Sequence, residues 1–265
     1  MVPRSYLFVP ADRPERYAKA LASGADAVIV DLEDAVAASA KDSARGSLAA
    51  WLDGGGSGIV VRINDAASAA FDADLEIVAR PGVVAVVVPK AERSDELARV
   101  RAAAPAAALL PLIETAAGVD RVREIAAAPG VQRLAFGSID LQLDLGIEGD
   151  GEELLVFRSA LVLASRLAAL EAPIDGVSTA IDDAAALDAD TRRARRLGFG
   201  AKLCIHPRQV AGVHAAFAPS ASELAWAGRV VAAAAQSSGG AVAVDGRMID
   251  RPVLLRAQAL LARKP

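Results

Sequence analysis

Short β-branched runs that are apolar on both faces recur along the chain, each followed by a longer segment rich in Ala, Leu and Arg. Ala-Val-Ile-Val at 27–30 and Val-Ala-Val-Val-Val at 84–88 show the type. A strand with one wet face alternates apolar and polar residues. A strand apolar on both faces belongs to a parallel sheet covered by helices. The strand-like segments are Ser5–Pro10, Ala27–Asp31, Ile59–Ile63, Val83–Val88, Leu109–Ile113, Arg133–Phe136, Pro173–Val177 and Ala201–Ile205. Helical composition falls between them at Arg13–Ser23, Lys41–Leu52, Asp95–Ala104, Leu154–Glu171 and Asp183–Leu197. Eight strand–helix units within a chain of 265 residues predict an α/β protein, a (β/α)8 barrel over residues 1–218, with an open doubly wound sheet as the alternative.

After Pro219 the rhythm breaks. A helical stretch at Ser222–Ala235 leads into Gln-Ser-Ser-Gly-Gly, a strand-like Ala-Val-Ala-Val, the turn Asp245-Gly246 and a last helix after Pro252. Residues 219–265 are too few to sustain a core of their own. They read as a helical and hairpin extension of the barrel.

Composition narrows the function. No stretch approaches the roughly 18–20 apolar residues of a membrane span, and the N-terminus lacks a signal series, so the expected location is cytoplasmic. Cys204 is the only cysteine, which excludes an internal disulfide, and two histidines with one cysteine make no zinc site. A net charge of −4 with mixed signs and few aromatics argues against nucleic-acid binding. Any metal would be a hard cation held by carboxylates.

In α/β barrels chemistry gathers at the C-terminal ends of the strands. Here those ends carry Asp31, Glu33 and Asp34 after the second strand, Arg62 and Asn64 on the third, Lys90 after the fourth, Glu114 after the fifth, Asp140 after the sixth, and Lys202 to His206 on the eighth. Carboxylates crowded on one rim repel unless a cation neutralises them, and Mg²⁺ accepts one or two carboxylates plus water and substrate oxygens. The alternative is that each charge pairs locally or caps a helix. Arg62 suits a substrate carboxylate or a developing oxyanion, or else an ion pair with a barrel carboxylate. His206 reads equally as a substrate contact or a loop-orienting residue. His214 and Cys204 read as packing residues, and Gly-Gly-Gly-Ser-Gly at 54–58 as a turn without the lysine of a phosphate loop.

The chain also resembles the citrate lyase β-subunit-like family, whose relatives include malyl-CoA and citramalyl-CoA lyases. The resemblance rests on Arg4–Pro10, on Asp31-Leu32-Glu33-Asp34-Ala35-Val36 with Lys41 and Arg45, and on Val61-Arg62-Ile63-Asn64. It continues through Pro111–Ala116, Phe136–Leu141, Lys202–Pro207 and Gly246–Asp250. It implies a Mg²⁺-dependent carbon–carbon lyase acting on a CoA thioester, with Glu114 and Asp140 as metal ligands and Glu33 and Asp34 holding metal-bound water. It further implies Arg62 as the substrate arginine, Arg13 and Lys19 on the CoA phosphates, and a homo-oligomer, often a trimer. In such an assembly the C-terminal extension is a lid on a neighbouring subunit, and Asp250 acts in trans as the acid. The same resemblance admits a citrate lyase β-subunit taking citryl-acyl-carrier-protein, a malyl-CoA thioesterase, or a non-catalytic assembly subunit. Ser138-Ile139 before Asp140 departs from the small or acidic residues common in relatives and alters the pocket wall.

Overall fold

The computed structural model describes residues 2–236 and 242–262. Its order is β1 (Ser5–Pro10), α1 (Tyr17–Leu21), β2 (Ala27–Asp31), α2 (Lys41–Asp53), β3 (Ile59–Arg62), α3 (Phe71–Val78), β4 (Val83–Val88) and α4 (Ser94–Ala103). Then come β5 (Ala108–Ile113), α5 (Ala116–Asp120), α6 (Val122–Ala126), β6 (Ala135–Phe136), α7 (Ser138–Leu145) and α8 (Leu155–Leu167). They are followed by β7 (Ile174–Asp175), α9 (Ala184–Leu197), β8 (Ala201–Cys204) and α10 (Arg208–Phe217). The C-terminal part holds α11 (Ala221–Gln236), β9 (Val242–Val244), β10 (Arg247–Ile249) and α12 (Arg251–Ala262).

Strands β1 to β8 form a closed parallel barrel in chain order, with β8 pairing back onto β1 from Ser5↔Lys202 to Leu7↔Cys204. The predicted eight-stranded barrel therefore forms, and the open-sheet alternative does not. Every strand shows one face to the barrel axis and the other to the helix layer. Tyr6, Ile29, Val60, Val87, Leu110, Leu112, Ile174 and Leu203 fill the axis as one cluster. Residues offset by one, such as Leu7, Val28, Val61, Val86 and Leu109, are equally buried beneath the helices. Both faces are dry, as the apolar runs require.

The helices depart from expectation in places. The segment Arg13–Ser23 is not one helix: Pro14–Arg16 forms a 3-10 turn and the α-helix begins only at Tyr17. The helix expected to reach Glu171 stops at Leu167, just before Ala169 takes a left-handed φ of 55°. The last helix starts at Arg251, ahead of Pro252, a first-turn position where proline's missing N–H costs nothing.

The N-terminal end of the barrel is sealed. Arg133 is buried there, donating from Nη1 to the Pro3 carbonyl at 2.7 Å and from Nε to the Ala172 carbonyl. Nearby, His214 Nε2 lies 2.8 Å from Ser5 Oγ and 3.1 Å from Asp26 Oδ2, so His214 ties the helix layer to β1 and β2.

The chain divides into two compact units, Met1–His214 and Ala215–Pro265. Contrary to the expectation that so short a segment has no core of its own, Ala227, Val230, Ala257 and Leu260 of the second unit join α11 to α12 around a small one. The hairpin β9–β10 turns at Asp245-Gly246, both with positive φ. Most of the preceding Gln-Ser-Ser-Gly-Gly run lies outside the described residues.

Candidate active site

The inward alternation that builds the core also builds the site. Ascending each strand, the axis-facing series runs Ile29 to Asp31, Val60 to Arg62 and Leu112 to Glu114, so the core gives way to charge at the C-terminal rim. There a cavity of about 410 Å³ opens. Asp31, Asp34, Glu114 and Asp140 line it together with a single cation, Arg62. Phe8, Leu112, Val177, Leu203 and Ile205 give it an apolar wall.

Arg62 is 8% exposed and thoroughly engaged. Its Nε donates to Asp31 Oδ1 at 2.7 Å and its Nη2 to Asp31 Oδ2 at 2.6 Å. Its Nη1 lies 3.0 Å from Glu33 Oε2 and 3.4 Å from Asp34 Oδ2, and the guanidinium sits 4.9 Å from the Phe8 ring centre. Burial opposes the guanidinium's charge, but the carboxylates of Asp31, Glu33 and Asp34 together more than offset it and hold the pKa above the ordinary arginine value. The ion-pair reading of Arg62 is thus what the geometry shows. It leaves the group on the cavity wall, aimed by its partner.

Glu33 is 5% exposed, in the loop after β2. That loop is pinned by Lys41, whose Nζ donates to the Leu32 and Glu33 carbonyls at 2.9 and 3.0 Å. Asn64 also donates to the Leu32 carbonyl, while Asp74, paired with Arg45, accepts from Asn64. Burial pushes the Glu33 carboxyl up to about 7 against the pull of Arg62 and Lys90. Asp34 is exposed at the cavity mouth.

Glu114 is 3% exposed. Its Oε1 accepts the Lys90 backbone N–H at 2.7 Å. Its Oε2 lies over Gly137, where a Cβ would stand 2.5 Å away. Burial, then the charges of Glu33 and Asp140, push its carboxyl up to about 8. Asp140, half-buried in the first turn of α7, completes the set; no side chain caps that helix.

An excess of carboxylate over cation, with hard oxygen donors, fits Mg²⁺. Among the described residues no group of three His, Cys, Asp or Glu is arranged as a metal cage. Two carboxylates with room for water and substrate suit Mg²⁺ and would not suit zinc.

Of the other expected residues, those of the barrel unit do not line this cavity. Arg13 and Lys19 are exposed on the segment after β1, Arg13 beside Asp12 at 3.8 Å. Asp250 belongs to the second unit, where its Oδ1 accepts the Val253 N–H at 3.0 Å and caps α12. His206 accepts the Arg208 N–H on Nδ1 at 3.1 Å and orients its own loop. Cys204 is buried, and burial pushes its thiol up to about 12. Sequence reasoning assigned no role to Asp31 or Lys90, although both stand at strand ends.

Residues 4–207 match the HpcH/HpaI aldolase/citrate lyase family. The chain belongs to this family. Within it, the chain is 39% identical to a citrate lyase subunit beta-like protein of Deinococcus radiodurans, over 98% of this chain and 97% of that one. It is 35% identical to a (3S)-malyl-CoA thioesterase of Cereibacter sphaeroides, over 98% and 94% of the two. Its fold superposes on protein CitE of Mycobacterium tuberculosis, in complex with magnesium, acetoacetate and coenzyme A, with a TM-score of 0.88. That comparison covers 98% of this chain and 97% of CitE at 38% identity. No helix among the described residues is long and apolar enough to cross a membrane.

Proposed function

We propose that the chain is a Mg²⁺-dependent carbon–carbon lyase that cleaves a β-hydroxyacyl-CoA thioester of the malyl- or citramalyl-CoA type to acetyl-CoA and a 2-oxo acid. One observation carries this reading: a clamped guanidinium and the carboxylates Glu114 and Asp140 share a single, mostly apolar cavity on the barrel rim.

Glu114 and Asp140 would hold the metal, and Glu33 and Asp34 would hold water beside it. Mg²⁺, when bound, supplies a Lewis acid that lowers the pKa of the substrate hydroxyl. Once the hydroxyl has passed its proton to water in the cavity, the alkoxide collapses to a carbonyl as the Cα–Cβ bond breaks, and the bonding pair passes into the thioester enolate. Arg62, fixed by Asp31, steadies the negative charge on the enolate oxygen without reorganising. The apolar wall of Phe8, Leu112 and Leu203 keeps water from the enolate. Asp250, presented by another copy of the chain in a homotrimer, acts as the acid: its carboxyl proton passes to the enolate carbon, and the carboxylate left behind is reprotonated from water. Arg13 and Lys19 take the CoA phosphates, and that remote binding orients the reacting end.

A second reading, hydrolysis of the same thioester, is favoured by the 35% identity to a malyl-CoA thioesterase. Incubation of the purified protein with malyl-CoA or citramalyl-CoA and Mg²⁺ separates the two. Equal release of acetyl-CoA and oxo acid supports the lyase. Free CoA without oxo acid replaces it with the thioesterase. No turnover of either thioester refutes both.

A further inference from the structure

Lys90 follows β4 and Pro89, and its φ of 43° lies in the left-handed region that L side chains disfavour. Glycine adopts that conformation freely, yet a lysine stands there. Two of its atoms face the site in different directions. The backbone N–H donates to Glu114 Oε1 at 2.7 Å, and the ammonium donates to Glu33 Oε1 at 3.1 Å, with Asp65 Oδ2 at 3.8 Å. The other oxygen of Glu33 lies 3.0 Å from Arg62 Nη1. Lys90, Glu33, Arg62 and Asp31 therefore form one unbroken row across the rim.

We propose that Lys90 is a positioning residue that fixes two members of the site at once. Its backbone sets Glu114, and its ammonium holds Glu33 against Arg62. The inference rests on the lyase or thioesterase reading for its consequence in turnover. The geometry separates the two duties. Every substitution but proline keeps the N–H that orients Glu114, whereas loss of the ammonium frees Glu33 to turn from the arginine. Removing the side chain then slows the chemical step while leaving cation binding in place. The effect passes through Glu33, so it vanishes once Glu33 is neutral.

The test uses the full-length protein and Mn²⁺ as the probe cation, comparing wild type, K90A, K90R, E33Q, K90A/E33Q and E114Q. Thermal melting checks that each is folded. K90A is expected to bind Mn²⁺ within threefold of wild type or more tightly, and to lose at least tenfold in kcat with less than threefold change in KM. K90R should recover part of that loss, and adding K90A to E33Q should cost less than a further twofold. The proposal is overturned if K90A turns over like wild type, if it loses Mn²⁺ binding together with kcat, or if the K90A and E33Q losses multiply. E114Q binding Mn²⁺ like wild type would instead overturn the metal assignment of the function, which identifies that failure separately.

Discussion

Arg62 and Asp31 stand at paired positions of β3 and β2 and meet through two parallel hydrogen bonds, Nε to Oδ1 at 2.7 Å and Nη2 to Oδ2 at 2.6 Å. Asp31 also accepts the Glu33 and Ala35 backbone N–H groups. One carboxylate thus fixes both the arginine and the loop that carries Glu33.

D31N should show both dependences. An amide cannot offer two acceptor oxygens, and breaking a buried pair costs about 3–5 kcal/mol, here at the low end because Glu33 and Asp34 still face the guanidinium. We expect D31N to lose about 3 kcal/mol in urea unfolding and more than tenfold in kcat. Wild-type kcat in D31N would show that Arg62 needs no aiming.

E114Q should abolish Mg²⁺-dependent turnover while leaving the metal-free fold intact or firmer. Folding raises the Glu114 carboxyl to about 8, from about 4.3 in the unfolded chain. Between those values the native state holds a proton that the unfolded state has released, so stability falls as pH rises from about 4 to 8. E114Q lacks this slope. Its metal-free melting temperature should match wild type near pH 4 and exceed it at pH 8. An identical pH dependence for the two proteins would refute the burial argument.

G137A tests the same carboxylate without touching it. A Cβ at 137 would stand 2.4 Å from Glu114 Cβ and 2.5 Å from its Oε2; side-chain rotation cannot relieve the first clash, so the backbone at 114 or 137 must shift and carry the carboxylate off its position. We expect a folded protein with at least tenfold weaker Mn²⁺ binding, measured by calorimetry.

Cys204 should be inert. With burial pushing its thiol up to about 12, almost no thiolate exists at pH 8. Reaction with a disulfide reagent should run at least 100-fold slower in the native protein than in denaturant. Comparable rates would show that β8 opens readily.

Much of the barrel was legible because dryness on both faces leaves few other places for runs such as Ala-Val-Ile-Val. The short helices α3, α5, α6 and α7 were not. Elements of five to eight residues carry too few turns for an apolar stripe to stand out. In the site, Glu114, Arg62 and Asp140 showed themselves as charges at strand ends. The duty of Asp31 was hidden inside the acidic run Asp-Leu-Glu-Asp, where composition cannot say which carboxylate turns toward the arginine. Lys90 was hidden for a different reason. Its contribution to Glu114 comes from the backbone, and nothing in a lysine announces a left-handed φ. The Gly246–Asp250 motif was read for chemistry, and what its own unit displays is the cap of α12.

The pairing of β1 with β8 has a consequence for how the protein is made. The first strand to leave the ribosome must wait for the last before its outer edge is satisfied, and Arg133 cannot complete its clasp on Pro3 until the sixth stave arrives. For most of synthesis the nascent sheet therefore exposes a row of unpaired backbone N–H and C=O groups able to recruit other chains. Any nonsense or frameshift product ending before Ala201 keeps that edge for good, and its fate is aggregation or degradation, not partial activity.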